Sequence, residues 1–203
     1  MRAASAALAL ALAASSASAQ AVVGRALVEG ERVVLYADGT WAPEAAPVKD
    51  CREVAQALTF CGSPAEWISL PPAGPMIAAQ YRVTDRLFAQ VIAEALGTDD
   101  GLSAKAMREI VLHNPASVAG VPASDVVVAD VVPCEADGIA GETVYFSLAS
   151  TNGLRVVFGS CIVVLERRTF QLITYEIASD LTDAHPGLHD RFLSLIRIDG
   201  AAR

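Results

Sequence analysis

The sequence predicts an α+β protein, a twisted antiparallel sheet covered by helices with a small N-terminal β-hairpin unit ahead of it. Three observations carry this. Val126 to Val132, Glu142 to Leu148, Leu154 to Leu165 and Thr169 to Ala178 are rich in β-branched and aromatic residues and are divided by short turn signals, the pattern of an antiparallel meander. Two segments, one after Ser103 and one after Thr182, repeat apolar residues at helical spacing. Near the start, Asp38-Gly39 separates two extended runs as in a tight hairpin.

From the N-terminus, Arg2 supplies a positive end, Ala6 to Ala14 an apolar run, and Ser15 to Ala19 the small side chains of a cleavage site, with Ala17-x-Ala19 as the pattern. Residues 1–19 therefore read as a signal peptide, cleaved near Ala19/Gln20, and the mature chain is expected to be periplasmic or secreted. The run is shorter than the roughly 20 apolar residues a membrane span requires, and no cysteine follows it for lipidation, so no stable membrane insertion is expected. Removing 19 of 203 residues leaves 184, read as a hairpin unit with linker over 20–47 and one α+β domain over 48–203.

In the first of these, Glu31 to Tyr36 runs into Asp38-Gly39, and Thr40-Trp41 resumes an extended strand. Glu44 to Val48 reads as linker. Asp50 and Glu53 resemble a capping box, with Val54, Ala57, Leu58 and Cys61 at helical spacing behind it. Pro71, Pro72, Gly74 and Pro75 break the chain, after which Met76 to Val83 reads as extended. Leu87, Phe88, Val91, Ile92, Ala95 and Leu96 fit either a helical stripe or a buried strand, and periodicity alone does not choose. Ser103 caps a helix from Ala104 to about His113, with Asn114-Pro115 as its stop. Asn152-Gly153 and Glu166 to Arg168 turn the meander. Thr182 or Asp183 caps a final helix that buries Leu188, Phe192, Leu195 and Ile196.

The charge balance is 15 Lys plus Arg against 23 Asp plus Glu, and loss of Arg2 takes the net from −8 to −9. Such a chain is a poor partner for nucleic acid. In an exported protein the four cysteines, Cys51, Cys61, Cys134 and Cys161, are expected to form two disulfides. Three connectivities are available; nearness along the chain favours Cys51–Cys61 and Cys134–Cys161, the second stapling the sheet to the loop before it. The first strains a helix, because ten helical residues rise about 15 Å while bridged Cα atoms sit within about 7 Å. A turn at Thr59 to Gly62 would relieve this.

The sequence holds no G-x-S-x-G, no H-E-x-x-H, no P-loop and no dinucleotide fingerprint. Ser160 falls inside a strand, without the sharp turn a nucleophile needs. No cofactor is implied. His185 and His189 are spaced i, i+4 in the last helix, near Asp183 and Asp190, and so supply two candidate metal ligands. The competing reading puts both on a solvated first turn, with Pro186 at the helix start. Trp41, Trp67, Tyr36 and Tyr81 are read as packing rather than a recognition surface, and Arg167-Arg168 as a solvated turn.

Glu31 to Trp41 resembles a short β motif found near the start of exported bacterial proteins, often within a small Src-homology-like β unit. Glu94-Ala95-Leu96-Gly97, the segment from Ser103 to Asn114, Phe170 to Glu176 and a closing His185-to-Arg197 helix follow one another, between Trp67 and Ile198, in a layout similar to PsbP/DcrB-like α/β sandwiches. That resemblance implies a strand over Phe88 to Ala95, and an assembly, binding or accessory role with no functional residue to carry over. The expected function is therefore that of an exported, disulfide-stapled periplasmic accessory or binding protein, its partner another envelope protein or a small apolar ligand. The alternatives are a metal-binding protein or metal-dependent enzyme built on His185 and His189, and a hydrolase with an unrecognised site.

Overall fold

A computed structural model describes residues 22–28, 31–43, 50–182 and 184–199. The expected signal peptide, the Glu44 to Val48 linker and the Asp183 cap lie outside the described residues. The chain divides into two compact units, residues 1–46 and 47–203.

In the first unit, β1 (Val22–Val28), β2 (Glu31–Tyr36) and β3 (Trp41–Pro43) form an antiparallel sheet in that order. The Asp38-Gly39 turn forms as the dipeptide predicts: Gly39 takes φ 82°, and Asp38 Oδ1 accepts from the Thr40 N–H at 2.9 Å. β1 was not expected, because Gly24 and Ala26 blur its alternation. Its register runs from Val28 on Glu31 to Val22 on Tyr36, with a shift between Val22 and Gly24.

The second unit opens on β4 (Asp50–Ala55) and β5 (Leu58–Gly62) where a helix was expected. Val54, Ala57, Leu58 and Cys61 satisfy the helical period, but Leu58 and Phe60 also alternate, and both are fully buried. Burial of that alternate pair decides for the strand. The turn falls at Gln56-Ala57, with Ala57 at φ 64°, and not at Thr59 to Gly62. Cys51 and Cys61 are then direct cross-strand partners with Cα atoms 3.9 Å apart, so the distance problem of a helix never arises.

β6 (Ile68–Leu70), β7 (Ile77–Arg82), β8 (Leu87–Glu94), β9 (Val127–Ala136), β10 (Ile139–Ala149), β11 (Arg155–Val164) and β12 (Thr169–Ile177) form an antiparallel sheet in the order β6-β7-β8-β12-β11-β10-β9. Leu87–Glu94 is thus a strand. The meander β9 to β12 is present, turned at Asp137-Gly138 (φ 51° and 81°) and at Asn152-Gly153. α1 (Ala104–Ala119) starts at the expected Ser103 cap, whose Oγ accepts from the Ala106 N–H at 3.2 Å, but continues past Pro115 to Gly120 at φ 71°. Burial of Ala116 and the left-handed cap at Gly120 outweigh the donor that Pro115 lacks.

α2 (Ala184–Leu193) is shorter than expected. Leu195 and Ile196 are not its last turn: the chain extends into β13 (Ile196–Ile198), which pairs with β5 in a three-stranded sheet ordered β13-β5-β4. Ile196 and Ile198 point inward and Arg197 outward. The molecule is α+β and predominantly sheet. Its main core joins Leu58, Phe60 and Ile196 of the small sheet and Phe192 of α2 to Tyr81, Val91, Phe170 and Leu172 of the large one. The alternate residues Val144, Phe146 and Ile162 face the other way and meet Met107 and Val111 of α1.

Cys134 lies in β9, not in a loop, and its bridge to Cys161 of β11 passes the end of the intervening β10 with Cα atoms 6.2 Å apart. Close approach there requires glycine. A Cβ on Gly141 would collide with the Ile162 carbonyl oxygen and stand 3.1 Å from Cys134 Sγ. Gly141→Ala is expected to destabilise by about 1–3 kcal/mol, read as a lower urea midpoint at unchanged slope.

Candidate functional site

Antiparallel register puts Thr143 opposite Cys161 and both Tyr145 and Thr174 opposite Gly159, so these side chains share one sheet face. α2 lies across that face, and Gly159 leaves room for the His189 ring. His185 and His189 share one side of α2, as their i, i+4 spacing implies, yet neither sits on a solvated turn: they are 2% and 0% exposed. This corrects the solvated reading.

The two imidazoles and two threonines form a chain. Thr143 Oγ1 is 3.3 Å from His189 Nε2, Thr174 Oγ1 is 2.9 Å from His189 Nδ1 and 3.2 Å from His185 Nε2, and His185 Nδ1 is 3.8 Å from Glu176 Oε2. The direction of these contacts depends on the tautomer of each ring, and one arrangement turns the His185 Nδ1–H toward the Glu176 carboxylate, which only accepts. With the His185 Nδ1–H turned toward it, Thr174 donates to His185 Nε2, His189 Nδ1–H donates to Thr174, and Thr143 donates to His189 Nε2. With both rings neutral the three threonine contacts are then each one donor to one acceptor, while His185 Nδ1 stays beyond hydrogen-bond distance of Glu176. Tyr145 closes the cluster with its ring edge-on, 6.2 Å from His185 and 5.8 Å from His189.

Burial pushes both rings below the ordinary histidine value, His189 to about 3 with further lowering by its neighbour His185. For His185 the Glu176 carboxylate partly opposes this. Burial, with Asp190 and Asp130 adding to it, raises Tyr145 to about 12. Three of the four imidazole nitrogens are engaged with threonine. His185 Nδ1 has no hydrogen-bond partner, and among the described residues no three His, Cys, Asp or Glu side chains are grouped to hold a metal ion.

A second feature lies where β9 and β10 meet the end of α2. Pro133, Cys134, Glu135, Asp137, Ala140, Asp190, Leu193 and Arg197 line an open groove of about 820 Å³. Asp137 is occupied: it accepts from the Ile198 N–H at 2.9 Å and lies 3.9 Å from Arg197. Glu135 and Asp190 are exposed. The adjoining free edge of β9 is defended against strand addition. Asp130 Oδ1 takes the Val131 N–H at 2.8 Å, Pro133 has no N–H, and the ladder bulges opposite Tyr145-Phe146.

The remaining sequence candidates do not converge. Ser160 is fully buried, and its strand neighbours alternate toward α1 while the histidines lie over the opposite face. Trp67 and Tyr81 are core residues around Phe60, whereas Trp41 is 59% exposed. Arg168 donates to the Gln56 carbonyl at 2.7 Å, and Arg167 lies 3.6 Å from Asp99. Sequence reasoning missed Thr143, Thr174 and Glu176. The available signal was a threonine at the same parity as the buried Leu172.

No family model matches the chain, and no curated protein matches it. Among solved structures it is similar to the cyanobacterial PsbP protein CyanoP from Synechocystis sp. PCC 6803, with 13% identity over 76% of this chain and 94% of that one, at a TM-score of 0.54. A variant of the protein Mog1 is 14% identical over 74% of this chain and 95% of its own, at 0.47. A protein of unknown function from Pseudomonas aeruginosa is 8% identical over 85% and 94%, at 0.37. The chain resembles the PsbP-like fold, and the likeness extends to fold alone.

Proposed function

We propose that this chain is an exported accessory protein that binds a basic segment of another envelope protein in the groove between the β9–β10 hairpin and α2. The groove carries this reading. Its lining brings the apolar Pro133, Ala140 and Leu193 together with the exposed carboxylates of Glu135 and Asp190, in a chain of net charge −8. Its walls are held by the Cys134–Cys161 bridge and by the pairing of β13 with β5, so little ordering entropy is lost on binding. Two disulfides and a PsbP-like fold fit an oxidising compartment and a binding role.

The test is titration of the 15N-labelled protein with a hexalysine peptide. Shifts are expected at Glu135, Gly138, Ala140, Asp190 and Ser194, weakening as salt rises. The Glu135→Gln/Asp190→Asn double variant is expected to bind about five- to tenfold less well, at up to about 1 kcal/mol per exposed charge. Shifts scattered over the surface, or untouched by the double variant, would remove the groove from consideration.

A further inference from the structure

We propose that His185 and His189 form an acid-released latch: proton uptake by the pair frees α2 and the following β13 from the large sheet while that sheet stays folded. The proposal goes beyond the groove reading and does not depend on any ligand there. It stands first on geometry. α2 docks mainly through His185, His189, Phe192 and Leu193, all buried. The hydrogen-bond chain runs from Thr143 through His189 and Thr174 to His185, and both ring nitrogens of His189 meet only threonine hydroxyls, so a charge on that ring has no carboxylate beside it.

Glu176 on β12 is 3.8 Å from His185; Asp190 on α2 and Asp130 on β9 act on Tyr145 of β10; β11 places Gly159 beside His189 and carries its one charge, Arg155, at its exposed start. Glu176 can partner a charge on His185, but His189 faces two hydroxyls and a second imidazole. A cation there is uncompensated, and it is relieved only by opening. Opening of this segment is local. α2 has ten residues with Pro186 and Gly187 in its first turns, and β13 has three, paired on β5 alone. The strands β10, β11 and β12 are each paired on both sides.

The sign follows from the depressed values. Above the ordinary histidine value of about 6.5 both states are neutral and the latch is at full strength. Below it the released segment binds protons that the docked one excludes, so release gains up to tenfold per pH unit for each proton taken up. Hydrogen exchange by mass spectrometry on the full oxidised chain, from pH 7.5 to 4.5 and normalised for intrinsic exchange, reads this directly. Protection over 184–198 is expected to hold above pH 7 and to fall about tenfold or more per unit below pH 6.5, while β10 to β12 keep theirs. His185→Gln/His189→Gln is expected to be flat with pH. Should the double variant not fold, His189→Gln alone is expected to lower the slope by one proton. Protection over 184–198 that ignores pH, that falls in step with β11 and β12, or that keeps its slope in the folded variants would overturn the latch.

Discussion

Phe60→Ala is expected to cost about 3–5 kcal/mol, the range for truncating a fully buried phenylalanine. Against a typical total stability of about 5–15 kcal/mol, that places the variant near the limit of folding. The site leads us to expect the upper part of the range. Phe60 stacks on Tyr81 at 4.4 Å, meets Trp67 edge-on at 5.5 Å and lies 5.8 Å from Phe192, so one ring joins the small sheet, the large sheet and α2. Its neighbours belong to three separately anchored elements and cannot all close on the void, which is the condition under which cavities are most costly. Phe60→Leu keeps most of the volume and is expected to lose less than half as much, including about 0.5–1.5 kcal/mol of aromatic pairing. Urea unfolding at fixed pH measures both. A Phe60→Ala cost below about 1.5 kcal/mol would show that the small sheet is not seated through this ring.

The same residue explains why part of the fold was illegible. The meander could be read because β10 to β12 are interior strands whose neighbours bury both faces, which writes itself into long β-branched runs such as Val156-Val157 and Ile162-Val163-Val164. The Asn152-Gly153 turn and the Ser103 cap are local chemistry and could be read for that reason. The hairpin over 50–62 is not local. Its turn needs positive φ at Ala57, which no turn dipeptide announces, and only the packing of Leu58 and Phe60 on distant strands chooses the extended form. β13 has three residues and one long-range partner, too short for any period to register.

The candidate site divides in the same way. The i, i+4 spacing correctly put His185 and His189 on one side of a helix, but whether that side is wet or dry depends on what lies beneath. Thr143 and Thr174 meet the pair only because two strands apart in register they share a face, and that face is identified only after β10, β11 and β12 are aligned. The groove is more remote still, joining residues from 133 to 197 that no motif connects.

Removing the Cys134–Cys161 bridge by the double substitution Cys134→Ala/Cys161→Ala is expected to cost about 3.5 kcal/mol, from the loop-closure entropy of a 27-residue separation. At about 2–4 °C per kcal/mol for a chain of this size, the melting temperature falls by about 7–14 °C. Cys51–Cys61 closes only 10 residues and ties strands that already face each other, so its loss should cost less, about 2.7 kcal/mol. The two bridges also differ in where their absence is felt. β9 is an edge strand, held by β10 on one side and by the bridge to β11 beyond it. Five of its first residues in a row are exposed, Val127 to Val131, so little burial retains it. Without the bridge, amide protection over β9 should drop by more than the global loss, while β12, at the centre of the sheet, loses only the global amount. Equal losses on β9 and β12 would mean that the bridge acts through the unfolded chain alone; a stability change under about 1 kcal/mol would mean that the ladder to β10 already supplies the constraint.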